Sequence, residues 1–166
     1  MSDANKTDIM EPISNDEWFK SHIQPKLDKI IRQVDGMYFI NVGLCWDRHK
    51  YNDAYEGKVG LSIFPKRTLS PQDWTHHWAH SVRFLTALHN KLKSFDQEFA
   101  RVDLRVYLSG ASGCRQALID AFNDNVKRIG LPHFKTPFTW KLLPMNFNTV
   151  TKQYDEKPDC YSFPQE

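Results

Sequence analysis

Asp73, His76 and His80 have the types and spacing to do chemistry. At 3.6 residues per turn the three fall on one side of a helix. Two histidines four residues apart can share a zinc ion, and an acid one turn earlier can supply a third ligand. Helical metalloproteases carry a glutamate directly after the first histidine, and here that position is His77. No cysteine pair joins the set. The favoured reading is a solvent-facing stripe opposite Trp74 and Trp78. A His76/His80 metal site is the alternative.

Cys114 stands near the predicted first turn of a helix beside Arg115. Both neighbours would lower a thiol pKa and make it a nucleophile. A catalytic thiol needs a histidine, and His133 is the nearest along the chain. A buried, inert cysteine is the favoured reading. Just before it, Ser109-Gly110-Ala111-Ser112-Gly113 links a strand to a helix, where backbone N–H groups can cradle a phosphate. The loop has neither the three spaced glycines of the dinucleotide fingerprint nor the Gly-Lys-Ser/Thr of the P-loop. Gly110 and Gly113 are read as turn residues and Ser112 as the helix cap.

The fourth group depends on strand alternation. Val102, Leu104, Val106 and Leu108 alternate with Asp103, Arg105 and Tyr107, the period of a half-buried strand. If helices cover the apolar side, the far side displays Phe39, Asn41, Phe64, Asp103, Arg105, Tyr107 and Lys141, with Cys45, Ser62 and Thr139 between. Asp103 and Arg105 must lie at the surface or be paired, because burying them alone costs several kcal/mol. The polar loop from Asp47 to Gly57 adds Arg48 and Tyr51, although a solvated loop is its simpler reading.

The elements that must position these residues follow in order. Residues 1–13 are polar and read as a mobile N-terminal segment. Ser14 with Glu17 forms a capping box for a helix reaching Val34, with a kink near Gln24 from Pro25, and Asp35-Gly36 ends it. Met37–Trp46 and Val59–Phe64 read as two strands, most simply a hairpin. Ser70-Pro71 opens the longest helix, whose stripe is Trp74, Trp78, Val82, Leu85, Leu88, Leu92 and Phe95, with Trp78 as a core anchor. After the strand Val102–Leu108 comes a helix bearing Leu118, Phe122, Val126 and Ile129, stopped by Gly130. Pro137–Leu143 is a last strand that Pro144 stops, and residues 145–166 read as an extended tail. The strand–helix–strand step from Val102 to Leu143 predicts a parallel crossover.

This order predicts an α/β (α+β) fold in a single domain over residues 14–144. A mixed four-stranded sheet of order α-β-β-α-β-α-β carries helices mainly on one face, as a two-layer sandwich. Fully covered parallel strands would read as continuous apolar runs, and these alternate. Net charge is +2, too balanced to argue for a phosphate-binding surface by charge alone. Three cysteines without CxxC spacing and an N-terminus without an apolar core fit a cytoplasmic chain. No cofactor motif is recognisable and no membrane span is expected. The functional expectation is a small binding or accessory protein that docks a protein partner on the far sheet face. Nucleic acid on the same face is the first alternative. A small enzyme using Cys114 or His76/His80 is the second.

Overall fold

The structure is a computed structural model describing residues 14–45, 61–65, 74–95, 100–107, 112–124, 138–148, 150, 153–156 and 161–163. Its first turn follows the capping box. The Ser14 side chain accepts from the Glu17 N–H at 3.0 Å, and the Glu17 carboxylate accepts from the Ser14 N–H. Helix α1 (Asn15–Trp18) then widens into a π turn over Phe19–Ile23, tightens to a 3-10 turn over Gln24–Lys26 and resumes as α2 (Leu27–Ile30). Pro25 explains the irregularity, since it has no N–H to give to the carbonyl of Ser21.

The helix does not run on to Val34. Ile31–Val34 is strand β1, paired antiparallel with β2 (Met37–Cys45). Asp35 at φ 51° and Gly36 at φ 78° both have positive φ, as a two-residue type I′ turn requires. An Asp-Gly pair read as a helix stop is therefore a hairpin turn.

The chain continues through β3 (Ser62–Phe64), α3 (Trp74–Lys93), β4 (Ala100–Tyr107), α4 (Ser112–Phe122), β5 (Phe138–Asn148), β6 (Gln153–Glu156) and β7 (Tyr161–Phe163). Gly43 pairs with both Ser62 and Tyr107, so β3 and β4 lie on opposite edges of β2. β1 lies end to end with β3, because it pairs with the earlier residues of β2 that β4 also flanks. In the same way β6 and β7 share the outer edge of β5. Seven segments thus make a mixed sheet five strands wide, with β3, β2, β4 and β5 mutually parallel.

Two expectations are corrected here. β2 and β3 are parallel and not a hairpin. The stretch between them is long enough for the crossover that parallel neighbours need. Pro144 does not stop the last strand, which runs to Asn148. Leu143 and Pro144 have no partner on the outer edge of β5 among the described residues. A residue without an N–H costs no ladder bond at such a gap. The residues after it form β6 and β7, which pair with β5.

The helices pack on one face, giving the two-layer α+β arrangement. Tyr38, Ile40, Val42 and Leu44 of β2, Val102, Leu104 and Val106 of β4, and Trp140 and Leu142 of β5 form one apolar cluster with the helices. The register sets Tyr38, Val102 and Trp140 in one row and Ile40, Leu104 and Leu142 in the next. The buried stripe of α3 is rotated from the predicted one. It holds His77, His80, Ser81, Phe84, Leu85, Leu88, His89 and Leu92. Trp78 is only partly buried and Trp74 is 36% exposed. Their indole N–H groups donate to Asp124, just past the end of α4, at 3.1 Å and to Asp120 of α4 at 3.0 Å. Trp78 is thus a marginal clasp between two helices and not the core anchor.

Candidate functional site on the far sheet face

The side of the sheet away from the helices is built by register. Arg32, Phe39, Asp103 and Lys141 form one row across β1, β2, β4 and β5. Asn41, Arg105 and Leu143 form the next, and Gly43, Tyr107 and Met145 the last. Met37, Arg101 and Thr139 begin the series. Five of the predicted site residues of β2, β4 and β5 are accordingly brought together: Phe39, Asn41, Asp103, Arg105 and Lys141. Tyr107 shares the face one row further on.

Exposure changes along these strands. At the amino ends of the parallel strands Arg101 is exposed, and Phe39, Asn41, Arg105, Thr139, Lys141 and Leu143 are half-buried. At the carboxyl ends Tyr107 is 7% exposed and Met145 is buried. The usable part of the face is therefore its first three rows, and Tyr107 offers little ring to a partner.

Asp103 is buried and pairs with a neighbour. Its two carboxylate oxygens accept from Arg101 Nε at 2.9 Å and Nη2 at 3.3 Å. The expectation that it would be paired holds, and the partner is the residue two positions earlier on the same face.

Phe64 is corrected. Register places it on the far side beside Cys45, yet its ring is fully buried and packs on His77 and His80, each at 5.0 Å between centroids. It belongs to the core. Arg48, Tyr51 and Asp73 lie outside the described residues.

The histidine stripe is also corrected. His76 is exposed, but His80 is 4% exposed and its Nε2 lies 2.7 Å from the Ile63 carbonyl, so that nitrogen carries the proton and donates. Burial pushes its pKa down to about 4, against the smaller opposing effect of that carbonyl. His77 is buried as well, its Nδ1 3.3 Å from the Asn15 amide. His76 and His80 thus occupy different environments, and His80 has a structural task. Among the described residues no group of three His, Cys, Asp or Glu could hold a metal ion.

Cys114 is buried in the apolar cluster at the start of α4, as expected of it. The rest of the small-residue loop before Ser112 lies outside the described residues, as does His133. Connections diverge at the carboxyl ends of β2 and β4, the place where open parallel sheets receive ligands. The described side chains there, Cys45, Tyr107 and Cys114, are all buried.

Sequence reasoning missed Arg32, Arg101 and Leu143. Arg32 was hidden by reading β1 as helix, and the Asp35-Gly36 pair was the signal that could have revealed it. Arg101 and Leu143 sit just outside the alternating run or at its end, where periodicity is weakest. No helix of the described residues is long and apolar enough to cross a membrane. No family model, no curated protein and no solved structure matches the chain.

Proposed function

We propose that this chain is a binding protein that docks a protein partner on the first three rows of the far sheet face. The observation that carries the reading is the row structure itself. Phe39, Asn41, Arg105, Lys141 and Leu143 stand half-buried side by side on a surface that the helix-side core does not use. Two apolar anchors among hydrogen-bonding and charged groups are the make-up of an interface centre. Nucleic acid is the weaker occupant. Base stacking needs flat exposed rings, and Tyr107 is buried while Phe39 is only half-buried.

Co-purification tests the reading. A partner protein should be retained by the wild type and lost from a Phe39→Ala/Leu143→Ala double variant, with binding at least thirtyfold weaker, on the scale of about 2 kcal/mol for interface anchors. Raising salt should weaken a protein complex less steeply than a nucleic-acid complex. If nucleic acid is retained instead, with a steep log–log dependence on salt, the alternative occupant is correct.

A further inference from the structure

We infer that the partner presents an acidic segment in extended conformation, anchored by a carboxylate on Arg101. This rests on the docking reading above and names the chemistry of its occupant. Among the described residues, the first three rows carry Arg32, Arg101 and Lys141 beside Arg105, and one anion, Asp103, which Arg101 already holds. Arg32 and Lys141 have no carboxylate within ion-pair distance among the described residues. A face of this sign selects an anionic partner and steers its approach.

Arg101 is the best-placed anchor. Its side chain is 43% exposed while the Asp103 side chain that grips it is 6% exposed. The carboxylate holds the Nε and Nη2 edge, which leaves the Nη1 side of a planar five-donor fork for a second acceptor. A guanidinium fixed in this way loses little freedom when a partner carboxylate arrives. Asp103 is therefore a positioning residue and Arg101 the contact.

The size of the patch sets the form of the occupant. Three rows two residues apart span about 13 Å along the strands, and the four strands from β1 to β5 span about 14 Å across. That is far below the roughly 800 Å² per partner of a standard globular interface. It matches about four residues of extended chain at ~3.3 Å each.

Fluorescence anisotropy with three labelled probes tests this: an eight-residue Glu-Leu repeat peptide, a Lys-Leu repeat of the same length, and an eight-nucleotide oligothymidylate. The Glu-Leu peptide should bind the wild-type chain at low salt and the Lys-Leu peptide should not. Arg101→Gln should weaken Glu-Leu binding at least tenfold, and Arg32→Gln/Lys141→Gln should do so without touching the Asp103 pair. Absence of Glu-Leu binding, equal binding to both charge variants, or tighter binding of oligothymidylate would overturn the inference. If the Lys-Leu peptide binds and is lost on Phe39→Ala/Leu143→Ala, the acidic partner fails and the docking surface stands. If neither the charge variants nor that apolar double variant alters the binding of any probe, the docking surface fails too.

Discussion

His80 and His89 predict how this protein responds to acid. Both lie on the buried stripe of α3, His80 at 4% exposure against Phe64 and the Ile63 carbonyl, His89 at 2% beside Trp140. Burial lowers each pKa from 6.5 to about 4, with Lys93 adding a smaller push on His89. The sign follows from linkage. The unfolded chain takes up protons as pH falls through about 6.5, and the folded chain refuses them until about 4, so stability declines across that window and levels off below it. At 1.36 kcal/mol per unit, each histidine costs about 3 kcal/mol over the full window. Between pH 7 and pH 5 the two together remove about 4 kcal/mol. That is a large part of the 5–15 kcal/mol available to an ordinary domain. Urea unfolding at half-unit steps over this range measures it. His80→Gln can still donate to the Ile63 carbonyl and does not titrate, so its slope should be about half that of the wild type. A wild-type stability that changes by less than about 1 kcal/mol between pH 7 and pH 5 would refute the argument.

Phe84, fully buried on α3, should cost about 3–5 kcal/mol as Phe84→Ala in the same unfolding assay. Trp78→Phe keeps an aromatic ring and removes the donor to Asp124, and should cost about 1–2 kcal/mol by the same measurement. Gly36→Val places a β-branched residue at φ 78° and should lower stability by about 1–2 kcal/mol. Tyr107→Ala should destabilise by about 3 kcal/mol because the ring is buried, so it cannot serve as a clean test of binding.

Much of the architecture was legible because strand alternation and helix period report burial directly. Val102, Leu104 and Val106, with Tyr38, Ile40, Val42 and Leu44, face the helices as their alternation predicts, and the parallel step from β4 to β5 is present. The errors share a cause, which is that local pattern is blind to the partner. Ile30, Ile31 and Val34 suit a helix stripe, and only the left-handed demand of Asp35-Gly36 shows that the last two belong to a strand. On α3, tryptophan is the most apolar-looking choice for the core, yet each indole has an N–H to satisfy. Asp120 and Asp124 take those N–H groups at the margin, and the stripe turns to bury three histidines and Phe84. No periodicity announces a histidine that will be held neutral by burial. The candidate face was legible in its centre, where Asp103, Arg105 and Lys141 alternate with core residues. It was illegible at its edges, because Arg32 joins it only through strand pairing and Arg101 precedes the alternating run.

Photo-crosslinking from one position tests the docking surface most directly. Benzoylphenylalanine in place of Phe39 puts the probe in the second row of the far face, and the same probe in place of the exposed His76 puts it on the helix layer. A docking surface on this face yields a protein adduct from position 39, the same protein each time, and none from position 76. Adducts that form only from position 76, or only with nucleic acid from position 39, would contradict it.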